Sequence, residues 1–108
     1  MHHLKAVAAT HYGKQRDEAE KVKRGIRKQT RIQSVCPYCG TRLRIEEAHA
    51  DHIYPVKKGG LSTLENMVYV CHSCNGKKRD MVLRDFIKGF ALNREEIEGR
   101  LEKLKKKF

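Results

Sequence analysis

Within "HADHIYPVKKGGLSTLEN", residues 49–66, an aspartate and a histidine stand side by side ahead of a Gly-Gly loop that closes on an asparagine. Imidazole titrates near neutrality, so His52 is a candidate general base able to take a proton from water. Neighbours on an extended strand point to opposite faces, so Asp51 and His52 are expected to serve different roles, with the Asp51 carboxylate holding a metal ion. His49, two residues before Asp51, shares its strand face. It is either a further ligand to that ion, a phosphate contact or a partly buried structural histidine. Downstream, "CHSCNGKKR" offers His72 and Asn75 within one turn of helix.

Four cysteines occur as two C-x-x-C pairs, Cys36 with Cys39 and Cys71 with Cys74. The two-residue gaps let both thiolates of a pair face one centre, and two pairs supply the four soft ligands of a tetrahedral zinc. Two disulfides are the alternative. No secretory signal is visible at the N-terminus, and that favours Zn2+.

The rest of the chain has to position these groups. At 108 residues it fits one small domain whose core needs a staple, which zinc would supply. A formal charge of +11 points to an extended anionic partner, and nucleic acid fits best. No apolar run approaches a membrane span, so no membrane association and an intracellular, cytoplasmic setting are expected.

Residues 1–35 read as a basic arm with a helix from about Lys14 to Lys28, serving either as a phosphate-contacting element or as a solvated leader. Residues 36–80 form the core. "CPYCG" reads as a metal knuckle in which Gly40 takes the left-handed conformation that turns the chain. Strands are expected around Ile45–Ala50 and Met67–Cys71, and the hairpin they form would bring Cys39 to Cys71. Over residues 81–108, Val82, Leu83, Phe86, Ile87 and Phe90 recur with helical spacing. Asn93 with Glu96 predicts a capping box before a last helix with the stripe Ile97, Leu101, Leu104 and Phe108. These two helices pack on or extend the core.

The run from "CPYCG" through "HADHIYPVKKGG", "LENMVYVC" and "HSCNGKK" resembles the HNH endonucleases, the ββα-metal nucleases, in the subgroup pinned by zinc on two C-x-x-C knuckles. The resemblance implies an α+β fold: a zinc-stapled two-stranded antiparallel hairpin plus helix, with flanking N- and C-terminal helices. It also implies a bacterial or phage-like context and cleavage that leaves 5′-phosphate and 3′-hydroxyl ends. The motif triplet it implies is His52, Asn66 and Asn75. Asn66 would orient His52 and steady the loop, and Asn75 would be the second protein ligand, with Asp51, of a catalytic ion. Asn66 serving only to terminate the loop is the alternative.

Phosphodiester hydrolysis needs an activated water, a cation on the phosphate and groups that hold the backbone in line. A carboxylate and an amide carbonyl make a hard oxygen site suited to Mg2+ or Mn2+. Lys57, Lys58, Lys77, Lys78 and Arg79 are expected to contact phosphate, with a merely solvated charged face as the alternative. His72 would contact phosphate, donate to a zinc-bound sulfur or sit in solvent. Duplex DNA is the expected substrate and RNA stays open. Two other readings stand beside this one: a non-catalytic zinc module that binds nucleic acid, and a nuclease domain active only within a larger assembly. Cutting both strands with one site per chain would call for two copies, so a homodimer is a further expectation to test.

Overall fold

The computed structural model describes residues 21, 22, 24, 25 and 33–108. The expected basic arm falls mostly outside them, although Lys21, Val22, Arg24 and Gly25 are helical. Two strands, β1 (His49–His52) and β2 (Met67–Val70), form an antiparallel hairpin. Three helices follow: α1 (His72–Lys78), α2 (Leu83–Gly89) and α3 (Arg94–Lys103). The architecture is α+β. Among the described residues no helix is long and apolar enough to cross a membrane.

The first strand begins later than the composition suggests. Ile45–Glu47 forms a 3-10 turn, and pairing runs from His49 opposite Val70 to His52 opposite Met67. What sets this register is burial on β2. Val68 and Val70 are fully buried while Met67 and Tyr69 are not, so one face of the hairpin meets the core. Directly opposite residues share a face, and His49 and Asp51 therefore stand on the side of the two buried valines. The side chain of Gln33 holds both backbone hydrogen-bonding groups of Tyr69.

The loop between the strands is tightly folded. Gly59 adopts φ +99°, and a Cβ on Gly60 would fall 1.8 Å from the carbonyl oxygen of Tyr54, so only glycine fits there. The C-terminal segment reaches this loop as well: Lys107 N–H donates to Glu65 O at 2.8 Å, and Lys106 Nζ donates to Leu64 O.

One core joins all of this. Cys36, Tyr38, Ile53, Val68, Val70, Cys74, Phe86, Ile97 and Leu101 form a single buried cluster. Phe86 projects from α2, and Ile97 and Leu101 project from α3, so the last two helices pack onto the hairpin and knuckle. Asn93 caps α3, its Oδ1 accepting from Glu96 N–H at 3.0 Å. Phe90 and Phe108 were expected in the apolar stripes but are 40% and 51% exposed, because each lies beyond the last turn of its helix. Phe90 still meets Phe86 edge-on at 5.4 Å between ring centroids.

Candidate active site

Two knuckles bring the sulfurs together. At the first, Gly40 N–H donates to Cys36 O and Cys36 N–H to Thr41 O, both at 2.8 Å, with Gly40 at φ +76°. At the second, Cys71 caps α1, its Sγ accepting from Cys74 N–H at 3.4 Å. The ligand atoms of Cys36, Cys39, Cys71 and Cys74 all lie within 4.8 Å of one another, and Cys39 and Cys71 are 3.7 Å apart. Tetrahedral Zn–S bonds of about 2.3 Å imply sulfurs about 3.8 Å apart, so the cluster fits a zinc ion. Burial pushes the Cys36 thiol up to about 11 and raises Cys74 further. At Cys39 burial also pushes upward, but hydrogen bonds from Thr41 and the neighbouring thiols outweigh it and bring the group down to about 7. Four ionised sulfurs are therefore compatible with this packing only when a cation compensates them.

Helix α1 lies along the inner face of β1. His72 at its start meets His49, Nδ1 to Nε2 at 3.3 Å, and Lys78 at its end meets Asp51 and His52. Asn75 falls one turn after His72 and one before Lys78, on the helix face turned to the strand. Among the described residues its half-buried side-chain amide has no hydrogen-bond partner, so it is free to serve as a ligand.

Asp51 is 7% exposed, and both of its contacts fall on Oδ2: the Tyr38 hydroxyl donates at 2.7 Å and Lys78 Nζ lies at 3.1 Å. Among the described residues no hydrogen bond or ion pair reaches Oδ1. Tyr38 is raised well above its ordinary range by burial and by the Asp51 charge beside it. Burial lowers Lys78, with the Asp51 carboxylate opposing that shift.

His52 ends β1, and its Nε2 lies 2.9 Å from Ser62 Oγ. Strict alternation would put the Asp51 and His52 side chains on opposite faces. Both nevertheless line one cleft of about 160 Å³, because the chain bends immediately after His52. Lys57 and Arg79 share the walls of that cleft.

Among the described residues Asn66 has no hydrogen bond to the ring of His52. Its Oδ1 accepts from Tyr54 N–H at 2.8 Å, and its Nδ2 donates to Tyr54 O at 3.0 Å and Leu61 O at 2.8 Å. Asn66 was expected to orient His52 and steady the loop; the hydrogen bond to the ring is with Ser62, while Asn66 ties the loop to the strand end. Nothing in the sequence singled out Ser62.

Lys78 needs a larger correction. Expected to meet phosphate at the surface, it is fully buried, with Nζ 3.1 Å from Asp51 and 2.9 Å from His52 O. The other basic residues are exposed. Lys57 Nζ pairs with Asp80 at 3.2 Å, Lys77 Nζ sits 5.9 Å from the centre of the Phe90 ring, Arg79 donates from Nε to Gly76 O at 3.2 Å, and Lys58 faces solvent.

A cysteine-pinned hairpin and helix with this constellation defines a class, and the comparison with known families agrees: residues 36–81 match the family model described as HNH endonuclease. By that match residues 36–81 are similar to the HNH endonuclease domain. The chain is also 30% identical over 69 residues to the CRISPR-associated endonuclease Cas9 of Corynebacterium diphtheriae. That match takes in 63% of this chain and 6% of the Cas9 length, so the chain corresponds to a small part of that relative.

Proposed function

We propose that this protein is a metal-dependent endonuclease that hydrolyses phosphodiester bonds of DNA inside the cell, with His52 as general base. The observation that carries the reading is the shared cleft, which Asp51 and His52 both line while Oδ1 of Asp51 has no hydrogen bond or ion pair among the described residues. Asp51 and Asn75 would hold one Mg2+ or Mn2+, since carboxylate and amide oxygens form a hard site. When bound, that ion neutralises charge on the phosphate and on the departing 3′ oxygen. Zn2+ in the sulfur cluster is scaffold.

The chain supplies the proton transfer. In the tautomer whose Nε2–H donates to Ser62 Oγ, Nδ1 carries the lone pair that accepts a proton from the attacking water. Asn66 holds the loop that carries Ser62, and so sets the ring indirectly. Exposed Lys57, Lys58, Lys77 and Arg79 position the phosphate backbone without reading sequence.

The test is an incubation of zinc-loaded protein with duplex DNA, single-stranded DNA and RNA, in Mg2+ or Mn2+ and with a chelator control. Cleavage of duplex DNA to 5′-phosphate and 3′-hydroxyl ends, abolished by chelation of the added ion, is expected. Binding with no cutting of any substrate in either ion would replace this reading with a non-catalytic zinc module. The small share of Cas9 that the chain matches favours a second reading, in which cutting occurs only inside a larger assembly or a homodimer. That reading predicts that activity depends on protein concentration or on added partner segments.

A further inference from the structure

The contacts of Asp51 raise a question that the hydrolytic scheme leaves open: what turns one particular oxygen of this carboxylate toward the cleft. We propose that Tyr38 and Lys78 form a two-donor clamp on Oδ2 of Asp51, which presents Oδ1 to the cation and ties the ion-holding carboxylate to the sulfur knuckle. The inference rests on the reading of Asp51 as a metal ligand.

Both donors approach from the core. Tyr38 is 2% exposed and Lys78 0%, and neither lines the cleft, whereas Asp51 does. The carboxylate thus stands at the boundary, with Oδ2 turned inward to two donors and Oδ1 left for the open side. A free carboxylate exchanges its two oxygens by rotation about its last bond, and two hydrogen bonds to one oxygen oppose that rotation. Lys78 adds a further constraint, because the same Nζ donates to His52 O at 2.9 Å. One ammonium therefore anchors the side chain of residue 51 and the backbone of residue 52, the two residues that must face the same phosphate. Held beneath the strand, it does not stand where the cation would.

Tyr38 connects this clamp to the zinc ligands. It lies between Cys36 and Cys39, its ring packs edge-on against Phe86 at 5.4 Å, and Lys78 Nζ sits 5.9 Å from the ring centre. A knuckle held by metal fixes the tyrosine, and the tyrosine fixes the carboxylate. Tyr38 and Lys78 are on this account positioning residues that never touch substrate.

The experiment measures Mn2+ binding to the zinc-loaded full chain by electron paramagnetic resonance of the free ion, alongside the Mn2+ dependence of DNA cleavage. Asp51→Asn should remove the cleft-bound Mn2+. Tyr38→Phe should keep its zinc content and bind Mn2+ about twofold to tenfold more weakly, the scale of one lost hydrogen bond. Its half-saturating Mn2+ for cleavage should rise by the same factor, with the rate at saturating Mn2+ near that of the wild type. Lys78→Met should weaken binding further; if it fails to fold, Tyr38→Phe alone decides. Unchanged Mn2+ affinity in Tyr38→Phe, or a lower maximal rate with unaltered Mn2+ dependence, overturns the clamp, as does Mn2+ binding indifferent to Asp51→Asn. Wild type that binds Mn2+ through Asp51 yet cuts no nucleic acid overturns the nuclease reading instead, and the clamp is then judged on Mn2+ binding.

Discussion

The sulfur cluster and the Asp51 cleft are built on opposite plans. At the cluster, four ligands from two knuckles converge until a tetrahedral ion has no position left over. At the cleft, a carboxylate with one oxygen outside any hydrogen bond among the described residues borders open space, and the imidazole of His52 lines the same walls. Closure suits an ion that holds chains together, and openness suits one that must accept phosphate and water. The difference also shows in what supports each site. The cluster is held by short-range turns around its own cysteines, whereas Asp51 and His52 at the cleft are each held by residues distant in sequence: Asp51 by Tyr38 and Lys78, and His52 by Ser62.

The most severe way to break this contrast is to empty the closed site. Stripping zinc with a strong chelator should unfold residues 36–80, since structural zinc supplies apparent folding free energy on the order of 10 kcal/mol in small domains. Far-ultraviolet circular dichroism would report it, and Mg2+ removal should leave the same signal unmoved. Equal loss of structure on removing either ion would erase the distinction between the two sites.

Asn66→Ala acts next. Three hydrogen bonds from one side chain join the loop to the strand end, and their loss should cost about 2 to 3 kcal/mol of stability. A denaturant melt would show it, together with a fall in cleavage rate as Ser62 is released. Ser62→Ala, by contrast, removes one hydrogen bond to the ring and should slow cleavage about threefold to tenfold with no change in melting temperature. Stopped assays at saturating Mn2+ test that, and a rate equal to wild type would detach Ser62 from the base.

Arg79→Ala should have the smallest effect. Exposed on the cleft wall, Arg79 would contribute one phosphate contact, so the slope of log affinity against log salt should shrink by about 0.9. A titration of DNA binding across salt concentrations measures it.

The closed site was far more legible in the sequence than the open one, and the physical reason is range. C-x-x-C spacing, the left-handed Gly40 and the Asn93 cap are local devices, whose residues act on neighbours a few positions away. The hairpin followed from β-branched residues in "MVYVC", although its first strand starts at His49 because pairing with Val70 and Val68, not the composition of "IEE", decides the boundary. Lys78 was misread because "GKKR" looks like a solvated basic run. A helix turns about 100° between successive residues, so Lys77 faces solvent while Lys78 is buried and meets Asp51. Tyr38 reaches Asp51 across 13 positions, and Ser62 reaches His52 across ten. Contacts at such separations leave no spacing pattern to read.

The central claim is that the imidazole of His52 and the oxygens of Asp51 and Asn75 serve one phosphate. Its most direct test is the single-turnover rate of duplex cleavage by His52→Ala, with zinc content and DNA affinity measured on the same samples. The account predicts a loss of at least about a hundredfold in rate, with both of the other quantities unchanged. A variant that cuts at the wild-type rate would contradict it.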